Sequence, residues 1–267
     1  MSNLENTNQF QLPGLKGQRV VITAGANGIG FAIAKALSMQ GAILAICDVD
    51  DTAIKFARKE LGNCLAMNAD VSDPAAVEAF FEAVKQQLGG LDSLINNAGI
   101  AGPTSKIEDI SIEDWKRCID IDLTGQFLCA RSAVSMIKEA GGGSIVNMSS
   151  AAGKHGYAFR TPYSSAKFGI IGLTQSLAKE LGPDNIRVNA ILPGIVEGPR
   201  MEGVIRNRAE QIGVCYEEME ADYLKNISLR RMVTMDDVAN TVAFVLSDVG
   251  KNLSGQSLAV DGNVEAS

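Results

Sequence analysis

Short apolar runs that alternate with longer stretches of helical periodicity constrain this chain more than any other feature. Arg19-Val-Val-Ile-Thr23, 42–47, 64–67, 91–96, 144–148 and 186–192 read as buried strands. Between them, 29–40, 51–61, 74–88, 112–138 and 163–181 carry helical spacing, with Pro74 suited to a helix start. Strand and helix in strict alternation, with strands apolar throughout, imply one parallel sheet covered by helices on both faces.

Composition narrows the possibilities. The 267 residues, 46% hydrophobic and with no composition break, suit one domain over 13–267 behind a flexible tail at 1–12. No run of eighteen apolar residues suggests a membrane span, and the net charge of -7 disfavours nucleic-acid and anionic-membrane surfaces. Small molecules remain as partners. Cys47, Cys64, Cys118, Cys129 and Cys215 lack paired spacing, and His155 is the only histidine, so neither a disulfide framework nor a transition-metal site is expected. The polar Met1–Leu12 stretch resembles no signal peptide, and a cytoplasmic location is the expectation.

The first strand-to-helix turn reads Thr23-Ala24-Gly25-Ala26-Asn27-Gly28-Ile29-Gly30. Glycines allow a backbone to approach a pyrophosphate, and the helix behind them aims free amides at it; the competing reading is a plain tight turn. Asp48 closes the second strand, where a carboxylate accepts bonds from ribose hydroxyls and repels a 2′-phosphate; Val49, Asp50 and Asp51 follow it, with no cation. NAD is therefore expected over NADP. Asp48 as a cap for the next helix is the alternative.

Tyr163 and Lys167 lie four residues apart, on one side of a helix, thirteen residues beyond Ser150. A phenol is a weak base at neutral pH, and one nearby ammonium supplies an interaction large enough to favour its phenolate. Alone, such a pair is better read as an ordinary surface pair on an amphipathic helix.

Taken together, Asp70-Val71, Asn96-Asn97-Ala98-Gly99, Ser150, Tyr163-x-x-x-Lys167, Arg187-Val-Asn189, Pro193-Gly194 and Asp261-Gly262, in this order behind the glycine loop, resemble the short-chain dehydrogenase/reductase family from about Lys16 onward. The resemblance implies a single Rossmann-type doubly wound α/β domain. It implies Tyr163 as general acid/base, Lys167 as the residue that orients the nicotinamide ribose and assists Tyr163, and Ser150 as holder of the substrate oxygen. Ser149 is the rival, but the spacing to Tyr163 and strand alternation favour Ser150. Cofactor contacts fall on Thr23, Gly25, Asn27, Gly28, Ile29, Gly30, Asp48, Asp70, Val71, Asn97, Ala98, Gly99, Tyr163, Lys167, Pro193, Gly194 and Ile195. Asp70 alternatively closes a turn. Helices 112–138 and 163–181 would build a homotetramer.

Three departures from the family pattern stand out. Ala24 replaces the first loop glycine, tolerable if its φ is negative. Asp122 stands where the family has an asparagine that completes the proton relay, and it is expected to substitute there; a solvated helix aspartate is the alternative. Gly198 replaces a threonine and suits a hinge. The segment 195–230 is the family's substrate lid. Its Arg200, Arg206 and Arg208 either clamp an anionic substrate or pair along a helix; Glu202 and Glu210, four residues either side of Arg206, favour pairing. Lys154, His155 and Arg160 would border the pocket. The expected activity is NAD-dependent interconversion of a secondary alcohol and a carbonyl, on a small polar or anionic hydroxy compound. An NADPH-dependent carbonyl or 3-oxoacyl reductase, and a non-catalytic nucleotide-binding protein, are the alternatives.

Overall fold

A computed structural model describes residues 11–264. The strands are β1 (Arg19–Thr23), β2 (Ile43–Asp48), β3 (Leu65–Asn68), β4 (Ser93–Asn96), β5 (Gly143–Met148), β6 (Ile186–Pro193) and β7 (Ser257–Val260). They form one sheet in the order β3-β2-β1-β4-β5-β6-β7, parallel at every pairing. Chain order reverses between β1 and β4. At such a switch point the loops leaving the strand ends diverge and open a crevice, the usual ligand position in a doubly wound sheet.

Period-two alternation divides the strands between two cores. Val20, Ile22, Val146 and Ile191 face α1 (Gly28–Met39) and α9 (Met235–Leu246), whose Ile33, Leu37, Val238, Val242 and Leu246 are buried. Val21, Ile145 and Val188 face the other way, against Phe80, Phe81 and Val84 of α3 (Pro74–Leu88) and Ala133 and Ile137 of α5 (Gly125–Glu139). Asp50 starts α2 (Asp51–Leu61) by accepting from Thr52 and Ala53 amides, and Asp73 with Pro74 starts α3. These caps explain why both helices begin where the sequence places them.

Elsewhere the structure corrects the sequence reading. The expected helix 112–138 is two helices, α4 (Ile112–Ile119) and α5, joined by a π turn over Asp120–Thr124. A π turn adds one residue to a single turn, and the helical spacing on either side of it does not mark where that residue is added. Helix 163–181 begins earlier, as α6 (Thr161–Leu181). The lid segment holds α7 (Pro199–Ile212) and α8 (Tyr216–Lys225), and α9 and β7 close the fold beyond the elements expected. Residues 1–10 of the expected tail lie outside the described residues, while Leu12 already donates its amide to Gln40 and packs on the core. Among the described residues no helix is long and apolar enough to cross a membrane.

Candidate active site

β5 ends at Met148 and delivers two serines with opposite fates. Ser149 is buried and its Oγ donates to the Lys167 carbonyl at 2.8 Å. Ser150 accepts from the Ala152 amide at 3.1 Å and keeps its own proton uncommitted. Across from it, α6 presents Tyr163 and Lys167 one turn apart, after Pro162 in its first turn. Lys167 is 4% exposed, its Nζ donating to the Met148 carbonyl at 3.1 Å and lying 5.4 Å from the Tyr163 ring centroid. A buried ammonium in that position is not half of a surface pair.

Its counter-ion is Asp122. This residue is fully buried in the π turn, which rules out a solvated helix aspartate, and its Oδ2 lies 3.4 Å from Lys167 Nζ. Oδ1 accepts from the Ile100 amide at 2.7 Å, whereas Oδ2 makes no hydrogen bond. The Ile100 contact was not foreseen, since nothing in its spacing relates it to position 122. The neighbouring Cys118 thiol is pushed up to about 11, chiefly by burial and further by the Asp122 charge, so it stays protonated at neutral pH. Gly99 leaves room for the pair: a Cβ there would sit 3.2 Å from Lys167 Nζ and 3.4 Å from Asp122 Oδ1.

On the other side of the crevice, Ala24 adopts φ +47°, contrary to the negative φ that would have made its methyl harmless. Gly30 is required by the fold itself, since a Cβ would come within 2.0 Å of the Ala24 carbonyl. Gly28 differs. Its φ is +53° and a Cβ there would enter open space, at the first residue of α1, whose first-turn amides lack intrahelical partners. Asn27 caps that helix by accepting from Gly28. Asp48 accepts from the Ala26 amide at 3.2 Å and from Val49 at 2.8 Å, tying β2 to the loop; Asp50, not Asp48, caps α2. An open glycine cradle at a helix start, with a carboxylate beside it, fits a dinucleotide.

The remaining expected contacts separate into wall and turn. Thr23 Oγ1 accepts from both Asn97 and Ala98 amides at 3.0 Å, and Asn97 donates to the Thr23 and Ala24 carbonyls, so the β1 and β4 ends are locked together. Asp70 Oδ1 closes a turn by accepting from the Ser72 amide and hydroxyl, and Val71 is buried under Gly125. Pro193 ends β6, Gly194 donates to the Val260 carbonyl, and the Ile195 carbonyl accepts from the Val233 amide.

A family profile described as Enoyl-(Acyl carrier protein) reductase matches residues 23–264. The chain belongs to the short-chain dehydrogenase/reductase family. A cis-4-hydroxycyclohexanecarboxylate dehydrogenase from Sinomonas cyclohexanicum is 36% identical over 92% of this chain and 96% of its own length. A galactitol 2-dehydrogenase from Agrobacterium fabrum is 35% identical, covering 93% and 97%. The crystal structure of NAD+-bound xylitol dehydrogenase superposes with a TM-score of 0.89 at 28% identity, covering 93% and 99%. The protein is thus an oxidoreductase of the short-chain family, and its relatives with such names act on hydroxy compounds.

Around Tyr163 this family member gathers residues from distant segments. Arg160 donates to the Ala101 carbonyl at 2.8 Å, with its guanidinium 4.7 Å from the Tyr163 ring centroid. Arg200 donates to the Gly99 carbonyl at 3.3 Å, and Arg208 stands 4.6 Å from the Phe159 ring. The expected pairing of Arg206 with Glu202 and Glu210 is not formed among the described residues; Arg206 lies over the Tyr216 ring instead. Lys154 is exposed, and His155 has an enclosed Nε2 without a hydrogen-bond partner. Phe159 and Tyr223 went unnoticed in the sequence, because no short spacing links α8 to the segment before α6. Burial pushes the Tyr223 hydroxyl up while Arg160 and Arg208 pull it down, which puts both cations in its neighbourhood.

Proposed function

We propose that the protein is an NAD-dependent dehydrogenase that interconverts a secondary alcohol and its carbonyl compound, on a small polar or anionic hydroxy substrate. The observation that carries this reading is a buried Lys167 that pairs with Asp122, bonds the Met148 carbonyl at the end of β5, two residues before Ser150, and lies 5.4 Å from the Tyr163 ring. NAD, when bound, supplies the hydride acceptor. Tyr163 removes the hydroxyl proton of the alcohol as hydride leaves its carbon for the cofactor, and Ser150 steadies the developing alkoxide by a hydrogen bond. Lys167 supports the phenolate by its charge and orients the cofactor ribose. Gly28 and the start of α1 receive the pyrophosphate, with Asn97, Ala98 and Gly99 as the opposite wall.

Asp48 supports NAD over NADP, because it occupies the ribose side of the crevice with Asp50 and Asp51 beyond it and no adjacent cation. The NAD+-bound xylitol dehydrogenase neighbour agrees with this choice. Half-exposed Phe127 on α5 and Phe168 on α6, each 47% exposed, support assembly into a homotetramer through these helices. The lid reading of 195–230 rests on Gly198, whose φ of +130° before α7 is glycine territory. We read the location as cytoplasmic.

The test is a panel of secondary alcohols, hydroxy acids and polyols with NAD and with NADP, followed by absorbance of the reduced cofactor. NAD should be favoured, and Asp48→Ala should erode that preference. A native preference for NADPH, or no turnover across the panel, would overturn the cofactor choice or the reading itself.

A further inference from the structure

Arginines gather at the mouth of this acidic chain's site without carboxylate partners. The ion pairs among the described residues are Arg19–Asp92, Arg131–Glu78, Lys138–Asp184 and Lys167–Asp122. Arg160, Arg200 and Arg208 join none of them, although α7 and α8 carry Glu202, Glu210, Glu217, Glu218 and Glu220. Each arginine is held by something neutral instead. Arg160 is anchored to the Ala101 carbonyl and lies over Tyr163, Arg200 is anchored to the Gly99 carbonyl, and Arg208 lies over Phe159.

Neutral anchoring fixes a guanidinium while leaving its charge uncompensated and its remaining in-plane donors available. Arg160 has an enclosed Nε with no acceptor, so even its buried donor set is incomplete. Phe159, the residue before Arg160 and the ring under Arg208, holds φ +67°, a strained value for a bulky residue and one that clusters at ligand clamps. Arg160 lies over the Tyr163 ring, Arg208 over the ring of Phe159, the residue before Arg160, and Arg200 bonds the carbonyl of Gly99, which lies against Lys167, so the three cations border the space beside Tyr163.

We propose that Arg160 and Arg208, with Arg200 at the lid edge, form an anion subsite that takes the carboxylate of a hydroxy acid while its secondary hydroxyl lies at Tyr163. A carboxylate suits them better than a phosphate. Arg160 and Arg200 each have one edge committed to a backbone carbonyl and offer one further edge, which matches a planar acceptor of two oxygens. The aromatic rings of Phe159 and Tyr223 border the body of the substrate between the two ends. The catalytic half of this statement rests on the dehydrogenase reading above; the binding half does not.

The two halves are therefore measured separately. Titration calorimetry of the NAD-saturated protein compares cyclohexanecarboxylate with cyclohexanecarboxamide, an uncharged counterpart of the same skeleton. The acid should bind roughly 10- to 100-fold more tightly, the size of one or two charge-assisted hydrogen bonds. That ratio should fall below about threefold in Arg160→Gln and shrink in Arg208→Gln, with partial recovery in Arg160→Lys, which keeps charge and loses the fork. Arg206→Gln, whose arginine lies over Tyr216, should leave the ratio unmoved. Equal affinity for acid and amide, an unchanged ratio in both Gln variants, or tighter binding of cyclohexyl phosphate than of the acid would each overturn the carboxylate subsite. Turnover of hydroxy acids against neutral alcohols then tests the other half: neutral alcohols reducing NAD as well as acids sink the subsite alone, whereas no reduction by any alcohol sinks the dehydrogenase reading and leaves the binding result to stand.

Discussion

The two edges of the sheet handle charge in opposite ways. At the amino ends of the strands, Arg19 meets Asp92 through Nε and Nη2 at 2.9 and 2.7 Å and donates to the Gly89 carbonyl, while the Arg19 amide also reaches Asp92. Arg187 on the same edge spreads its donors over the Leu246, Gly250 and Leu253 carbonyls. At the carboxyl ends the charged groups of Asp122 (Oδ2) and Arg160 (Nε) are enclosed without hydrogen-bond partners, whereas the enclosed unpartnered atoms near the amino ends, Gln18 Oε1, Ser93 Oγ and Ser144 Oγ, are neutral. A satisfied charge anchors structure; an enclosed, unsatisfied one is maintained at a cost that an ordered water or a ligand relieves. The difference separates an edge that holds the fold from an edge that does chemistry.

Four substitutions would break or sharpen that contrast. Tyr163→Phe removes one hydroxyl from the chemical edge; kcat should fall roughly 1,000-fold with the unfolding midpoint shifted by less than about 2 °C. A loss under tenfold would place proton transfer elsewhere.

Asp92→Ala should do the reverse, lowering unfolding free energy at pH 7 by about 1–2 kcal/mol, a value reduced for the partial exposure of the pair, with kcat/KM unchanged. Burial raises the Asp92 carboxyl, but hydrogen bonds from the Arg19 side chain and amide outweigh it, and the net shift is downward. A depressed folded value means the contribution is complete above the ordinary carboxylate pKa of about 3.9 and disappears as pH drops through the lower folded value. Urea melts of the two proteins should therefore converge on acidification; a gap that widens would contradict the pairing.

Asp122→Asn should alter kcat by about tenfold or less, because geometry is conserved while a charge 3.4 Å from Lys167 is removed. Without that negative charge the buried ammonium loses its counter-ion, and the pH–rate profile should change. An unchanged profile and kcat would leave Asp122 a structural residue. The smallest effect belongs to Ala24→Gly: relief of φ +47° outweighs the added unfolded-chain entropy by about 0.5 kcal/mol, read as a slightly higher denaturation midpoint.

Legibility in the sequence followed the range of the interaction. Helices 51–61 and 74–88 were readable to the residue because Asp50, Asp73 and Pro74 act on amides two or three positions away. The placement of Tyr163 and Lys167 on one helix could be expected from their spacing. The π turn could not, since no local signal marks a single added residue, and neither could the hydrogen bond from Ile100 to Asp122, which spans 22 residues. The Arg206 pairing failed for a related reason: its Glu202 and Glu210 neighbours satisfy helix spacing, but the Tyr216 ring on the next helix competes for the same side chain.

By itself, then, the sequence determined the alternating elements, the parallel sheet, the glycine turn and the residue types able to move a proton, because each depends on local periodicity or on a few consecutive positions. The tertiary structure alone decided that Asp122 is buried against Lys167, that Ala24 takes a positive φ, and that arginines from the segment before α6 and from α7 converge beside Tyr163. Those outcomes depend on which distant segments share a dielectric environment, and burial and Coulomb energy are properties of proximity in space.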